Sequence, residues 1–561
     1  MTKQSSGSRT SFPARSANWF TRALLLGGAL LFAASAAVGC NDDAVLTPIV
    51  YQCDTLPTLS PVTEAGQACG AGDPNLVGVE PTLPTDICQT LTAGKYADDM
   101  HPPDESTLDT ARVAQALLDC KGRTVKLVAN GGFNAFVTDH LEVNGVTLWI
   151  DQGVTLYASR NAELYQKTGS CGVMGINDSG ACKDYITVSG ANPSIVGDGT
   201  IDGQGGEPLI GHDYSWWQLS YALREVDGSI GNPTLINLAS GTTGFVLYRI
   251  TLHNSPKFHV KLTSTTATPG QCDSPGQGFK VWGITLLTPS KWTNSQGLVL
   301  TPGFARNTDG VDPGTTSIAT CGVIACNTIS TGDDHIAIKG GHWVSDLIIA
   351  HNHFGTGHGM SIGSETYGSF KTKDGVVHRG VENVNIYDLT IDADSRPVGA
   401  EANAADFNGI RIKSDSSRGG LVNNITFSDV CMRDMTNSIL VSTAYNPLFA
   451  GTSYPDFRTL TFHDVHHVTC KELRQPVVTL NGFNAALPAG PITLDNVVID
   501  NIGPQCVASQ FANIVLGPGN VNFSPGGTGV TVSNQISDNR APKRCVFPTL
   551  PAPQPPEGWL R

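Results

Sequence analysis

Four short segments of this 561-residue chain concentrate groups that can move protons or hold charge. They are Asn307-Thr308-Asp309-Gly310-Val311-Asp312, Gly332-Asp333-Asp334-His335, Gly357-His358-Gly359 and Arg411-Ile412-Lys413. Asp333 follows Asp309 by 24 residues, His358 follows Asp334 by 24, and Arg411 follows His358 by 53. Cleavage of a glycosidic bond needs one carboxylic acid to protonate the leaving oxygen and a second carboxylate to handle water or the sugar. Clustered carboxylates raise one another's proton affinity, so one can stay protonated as the acid. Arg and Lys on the same stripe can hold an anionic group, Arg as a fork and Lys as a point charge. The residue types therefore point to hydrolysis of an acidic polysaccharide.

A regular spacing needs a scaffold that repeats. From Thr124 onward, short runs rich in β-branched residues alternate with Gly, Asn and Asp bends. Examples are Thr124–Val128, Phe245–Ile250, Val281–Leu287, Ile336–Ile338, Val384–Leu389 and Ile425–Val430. Like segments recur at roughly 22 to 30 residues, a solenoid period. In a parallel β-helix, residues one coil apart stack at ~4.8 Å, which would gather the four segments on one outer stripe. The rival is a chain of β-sandwich domains, which gives no reason for the spacing and needs longer alternating strands and tight hairpins. The expected fold is all-β, a parallel β-helix over residues 105–547. Ser106-Thr107-Leu108-Asp109 fits a capping box, and Leu108, Val113, Leu117 and Leu118 form an apolar stripe. That predicts a short helix ending near Lys121 and capping the N-terminal end of the core. Residues 40–104, rich in Pro, Gly, Thr and Asp, read as a tether and loop-rich entry segment. Residues 548–561 read as a Pro-rich extended tail.

Composition narrows the class. Charged residues make up 15%, Gly numbers 62, and the mean hydropathy is −0.06. These exclude a coiled coil, a polytopic membrane protein and a mostly disordered chain. A net charge of −14 with no run of Lys or Arg argues against nucleic acid as a partner. Lys3, Arg9, Arg15 and Arg22 precede an apolar run from Ala23 to Val38, so residues 1–39 read as an export signal. Ala37-Val38-Gly39-Cys40 resembles a bacterial lipobox, with Cys40 as the lipidated residue and the membrane as an attachment point. Ala34-Ser35-Ala36 offers ordinary secretory cleavage as the alternative. An exported chain can oxidise its 14 cysteines, and Cys171/Cys182 and Cys321/Cys326 are close enough in sequence to staple local loops.

The segments NTD, DD, GHG and RIK, in this order, resemble the signatures of glycoside hydrolase family 28, the polygalacturonases. Asn254–Val260 (NSPKFHV), Asp198–Gly206 (DGTIDGQGG) and Gly359–Ser364 (GMSIGS) also resemble family segments. The resemblance implies a right-handed parallel β-helix and hydrolysis of α-1,4-galacturonosyl linkages of pectin with inversion. It implies Asp333 as the general acid, with His358 tuning or sharing its proton. Asp309 and Asp334 become the carboxylates that activate water. Arg411 and Lys413 would bind a galacturonate carboxylate, Tyr445 would contact substrate, and Asn307 would shape the site. No cofactor or metal is expected, and the chain is expected to act as a monomer. Adjacent Asp333 and Asp334 should point to opposite faces of a regular strand, so a local bend is required.

Simpler roles compete for several residues. Asp and Asn at β-helix bends often bond only the neighbouring backbone, though turn chemistry does not explain Arg411 and Lys413. His335 reads as a structural neighbour. The His351/His353 and His466/His467 pairs lack a third ligand at usual spacing. Trp216-Trp217 could stack on sugars or pack in the core, and Asp392/Asp394 is a weak calcium pattern. Rival functions are a calcium-dependent pectate lyase, a non-catalytic polysaccharide-binding β-helix, and hydrolysis of rhamnogalacturonan or xylogalacturonan. The lengths of Gly363–Gly368 and Asp392–Phe407 favour exo attack, since long loops usually have a use.

Overall fold

The structure, a computed structural model, describes residues 58–59 and 69–553, apart from 100, 224–230, 263–271, 316–317, 372–374, 376, 394–406, 446–450, 471–476 and 536. The expected export signal, Cys40, Asp394 and the end of the tail lie outside the described residues.

Parallel pairing builds almost everything. Most of the described strands fall into one 21-stranded and one 11-stranded sheet, and the coils wind as a right-handed parallel β-helix. Six neighbours in the 11-stranded sheet carry the site: β1 (Val260–Leu262), β2 (Val311–Pro313), β3 (Ile336–Ile338), β4 (Met360–Gly363), β5 (Asn408–Lys413) and β6 (Asn437–Ser442). Val260, Val311, Ile336, Met360, Ile410 and Ile439 stack in register across them and are fully buried. Each buried aliphatic side chain contributes about 1.5–3 kcal/mol. Because side chains alternate along a strand, the next residue of each strand faces outward. Those residues include Lys261, Asp312, Ser361 and Arg411, so the ladder that fills the core also aims the outer stripe.

The corners explain where the expected strands were too short. Asp346, Asn383 and Asn424 occupy the same corner on successive coils, all at positive φ (57°, 55° and 55°). Asn383 Nδ2 donates to Asp346 Oδ1 at 3.2 Å, and Asn424 Nδ2 to Asn383 Oδ1 at 2.8 Å. Asn and Asp tolerate this left-handed backbone and stack as a polar ladder. Pairing continues through such corners, so Val384–Leu389 is the middle of a strand spanning Val381–Asp392.

The helix forms at Thr110–Asp119, later than the capping-box reading places it. Asp109 is the N-cap residue but makes no side-chain cap bond, because its carboxylate accepts from the Val137 N–H (2.8 Å) and from Arg112. Val113, Ala116 and Leu117 join the same core as Val125 and Leu141 of the early coils.

Residues 69–99 are not a tether. Ile87–Thr92 pairs in parallel with Thr124–Val128, so the coils begin before residue 105. Ahead of that strand, the chain lies along a ladder of register partners from five coils: Tyr248, Trp282, Ala325, Ala350 and Tyr387. Asp73 accepts from the Tyr387 hydroxyl at 2.7 Å and pairs with His351 at 2.9 Å. Leu76 and Val79 are buried in this ladder, and Glu80 accepts from the Tyr248 hydroxyl at 2.9 Å. Its Pro- and Gly-rich composition conceals two apolar anchors. At the other end, Phe547–Pro548 pairs with Thr58–Leu59, and Pro551–Pro553 lies against Thr288 and Ser330 instead of standing free.

Cys171 bonds to Cys182, the local staple expected. Cys321 and Cys326 do not pair with each other. Cys321 bonds to Cys272, and Cys326 to Cys69, 257 residues away. Cys88–Cys120 and Cys431–Cys545 complete the five cross-links whose partners are defined. Five residues apart in sequence, Cys321 and Cys326 are separated by the strand Gly322–Ala325, which keeps them at its opposite ends.

Candidate active site

The coils bring the dispersed segments into one open cleft of about 1020 Å³. Asn307, Asp309, Asp333, Asp334, His358, Lys413 and Tyr445 all line it. Arg411 sits directly beneath, 6% exposed.

The required bend is present. Gly332 to His335 form a bend ahead of β3, so Asp333 and Asp334 both reach the cleft. Thr308 Oγ1 accepts from the Gly332 N–H at 3.0 Å, and Thr331 Oγ1 donates to the Asp333 carbonyl at 2.6 Å. Both glycines of GHG are needed for contact between coils. A Cβ on Gly357 would meet His335 at 2.6 Å, and one on Gly359, at φ +84°, would meet the Gly409 carbonyl at 2.1 Å. His335 is fully buried and stacked on Phe354, with its ring bonded to Gly355 and Gly359, and is structural.

Each carboxylate has its own electrostatic setting. Asp334 is held by Arg411, by Lys413 at 2.9 Å and by the Ser361 hydroxyl at 2.8 Å. Burial opposes its charge, but the two cations win and hold it far below the ordinary carboxylate range. Asp333 Oδ1 accepts from the His358 ring (3.0 Å) and the Asp334 N–H (3.0 Å), and Oδ2 from the Asn307 N–H (3.1 Å). Burial again opposes the charge, and the adjacent His358 brings Asp333 down to about 2. Asn307 thus shapes the site through its backbone, at φ +59°. Asp309 is the reverse case. It is 4% exposed, Oδ1 has no partner, and burial plus the charges of Asp312 and Asp333 lift it well above the ordinary range. Asp312 lies on β2 with both oxygens buried and unpartnered, and burial raises it to about 7.

Several charged residues that line the cleft escaped the sequence reading, among them Lys339, Glu365 and Arg418. Lys339 Nζ donates to the Gly363 carbonyl at 3.2 Å and pairs with Glu365 at 3.5 Å. Arg418 bonds the same Glu365 at 2.8 Å. Burial opposes Glu365's charge, but these cations bring it down to about 2. A signal was available, because Gly363 lies 24 residues past Lys339 and is the register partner of Lys413. Tyr445 is 41% exposed, with Lys413 Nζ 5.0 Å from its ring centre.

Other candidates have structural roles. Trp216 and Trp217 are buried, and Trp217 Nε1 donates to the Ser255 carbonyl. Asp392 pairs with Arg433. His351 bonds Asp73 and Asp388, and His466 bonds Asp500. Among the described residues, one group brings three metal-ligating types together: Asp333, Asp334 and His358, within 4.8 Å of one another. Arg411 and Lys413 already neutralise Asp334, which disfavours a cation there.

Comparison with known proteins agrees with this geometry. The family model described as glycosyl hydrolases family 28 matches residues 120–515. The chain belongs to glycosyl hydrolases family 28. As a family 28 member it is a glycoside hydrolase, and it is similar to a polygalacturonase of Ralstonia solanacearum, 35% identical over 80% of this chain and 85% of that protein. An endo-polygalacturonase of Pectobacterium carotovorum subsp. carotovorum is 38% identical over 70% of this chain and 84% of its own. Among solved structures, the polygalacturonase from Erwinia carotovora ssp. carotovora superposes with a TM-score of 0.57 at 31% identity, covering 83% of this chain and 98% of that one.

Proposed function

We propose that this family 28 enzyme is a polygalacturonase that hydrolyses α-1,4-galacturonosyl linkages of homogalacturonan by acid/base catalysis with inversion. The observation that carries the reading is the Asp333–His358 pair beside the Asp334–Arg411–Lys413 cluster, in a cleft shared with Asp309. In the resting cleft the pair keeps its proton on the imidazole. Transfer along the 3.0 Å bond puts that proton on Asp333 for delivery to the leaving oxygen. Asp309 is costly to leave charged, which makes its ionised form a strong base for the attacking water. Asp334, locked in the ionised state, orients that water and never serves as the acid. Lys413 and Tyr445 meet the galacturonate unit at the cleavage point, and Arg411 acts by holding Asp334.

The test is incubation with polygalacturonic acid in the presence of a chelator, following reducing ends and ultraviolet absorbance. New reducing ends without an unsaturated product are expected. An unsaturated product would establish elimination and overturn the reading. No reaction on homogalacturonan with turnover of a branched pectin would move the substrate to rhamnogalacturonan or xylogalacturonan. Loop length supports exo action. Ser364 and Glu365 of the Gly363–Gly368 stretch line the cleft beside Lys339 and Arg418, while the Pectobacterium relative bears the endo name. Product size decides between them: internal attack yields a ladder of oligomers first, whereas exo attack yields monomer or dimer at once. The disulfides support an exported location, with Cys40 as the proposed lipid attachment point.

A further inference from the structure

A ladder of outer register partners runs along the solenoid under the described end of the tail. Arg433 pairs in register with Asp392, and Ile391, Phe354 and Ile329 carry the ladder on to Ser330. Leu287, His253, Asp202 and Tyr157 are the next partners in turn. The tail enters at Arg433, whose guanidinium lies 4.7 Å from the Phe547 ring centre, and at Cys431, which is bonded to Cys545. By Pro551–Pro553 it has reached Ser330 and Leu287. Four rungs at ~4.8 Å match six residues of extended Pro-rich chain at ~3.1 Å, so the tail advances straight along the ladder. It also sinks as it goes: Pro551 is exposed, Ala552 half-buried and Pro553 buried. Residues 554–561, QPPEGWLR, come next and lie outside the described residues.

Ahead of Pro553 the ladder opens into a recess lined by Asp98, Pro102, Tyr157, Asp202, Glu207 and Lys291. Its far rung, Tyr157, is ~14 Å beyond Leu287, or about five extended residues. The charges of the recess come in order. Lys291 lies four residues past Leu287, whereas Asp202 is two rungs on, and the charges of Asp202 and Asp98 act on Tyr157 at the third. Lys291 meets Glu207 only at 3.9 Å, which leaves its ammonium open to a closer partner. Residues 554–561 carry the complementary charges in the same order, Glu557 before Arg561, with Trp559 between them.

We propose that residues 554–561 dock in this recess, with Glu557 at Lys291, Trp559 against Pro102 and Tyr157, and Arg561 at Asp98 and Asp202. The tail then straps the outer ladder from Arg433 to Tyr157. On its way it passes Pro302, which Pro551–Pro553 already lies against and which opens the turn Pro302–Phe304. Gly303 of that turn lines the cleft, so the strap backs the cleft wall from outside. Docking needs no sugar, and the inference stands apart from the choice of substrate.

The test reads Trp559 as the difference in fluorescence between the full chain and its Trp559→Phe variant, with acrylamide as quencher. A docked Trp559 is expected to emit to the blue of free tryptophan and to be shielded from acrylamide. Water-like emission with full quenching overturns the proposal. Shielding that disappears on dilution places the tail on a second copy and also overturns it. A charge swap then locates the seat. Lys291→Glu and Glu557→Lys are each expected to lower the melting temperature by about 2 °C, and the double swap to recover most of the loss. A shielded Trp559 with strictly additive losses puts the tail elsewhere and overturns the recess as its site.

Discussion

Asp334 and Arg411 form a buried ion pair between residues 77 apart in sequence, one in the bend ahead of β3 and the other on β5. Their side chains are 2% and 7% exposed. The pair lies at the floor of the cleft, and its geometry depends on the register of β3, β4 and β5.

Arg411→Ala leaves a buried carboxylate with Lys413 as its remaining cation. Removing one partner of a buried pair costs about 3–5 kcal/mol. A urea midpoint should fall accordingly at neutral pH, together with kcat/KM. Asp334 has a depressed folded pKa, so its contribution is full above the unfolded carboxyl value of about 4 and is lost as pH falls below it. The stability gap between variant and wild type should therefore narrow in acid. A gap that is constant with pH would show that Arg411 matters through packing instead.

Asp333→Asn removes the proton donor while preserving shape. We expect kcat to fall by about 10²–10⁴-fold in a variant that still folds, with a lower melting temperature because Asp333 accepts from His358, Asp334 and Asn307. Near wild-type turnover would exclude Asp333 as the acid.

His358→Gln removes the charge that brings Asp333 down to about 2. Asp333's own pKa should rise, but the pair loses the proton stored on the ring. The alkaline limb of the pH–rate profile should move to lower pH, with kcat reduced about 10–100-fold. A lower rate with the same alkaline limb would make His358 a positioning residue only.

Asp312→Asn removes a negative neighbour of Asp309. Asp309's raised pKa should drop, and the acid limb of kcat/KM should shift to lower pH. Both Asp312 oxygens are buried without partners, so the variant should also be more stable at neutral pH, by about 1–2 kcal/mol. A melting temperature below that of wild type would contradict this.

The repeat was legible because it rests on local chemistry. β-branched runs such as Ile336–Ile338, and Asn and Asp at corners such as Asn383 and Asn424, announce strand and bend directly. The 24-residue spacing was enough to bring Asp309, Asp333, Asp334 and His358 into one cleft. What stayed hidden depends on register between distant coils. Lys339 is recognisable only once Gly363 and Lys413 are known to be strand partners. The role of Arg411 in fixing Asp334 needs the burial of both. The lead-in segment was misread because two apolar residues, Leu76 and Val79, in a polar stretch carry no periodicity. Cys69 and Cys326 are distant in sequence and meet only through that packing.

A solenoid can ordinarily lengthen by duplicating a coil, since each coil needs only its neighbours. Here Asp73 is tied to the Tyr387 rung and Glu80 to the Tyr248 rung, with Leu76 and Val79 buried between them. That segment works as a ruler of fixed span. One extra coil between those rungs would move them ~4.8 Å further apart and pull open the turns that seat Leu76 and Val79. A duplicated coil between Tyr248 and Tyr387 would therefore cost the chain these anchors, whereas a longer loop between strands would leave them in place.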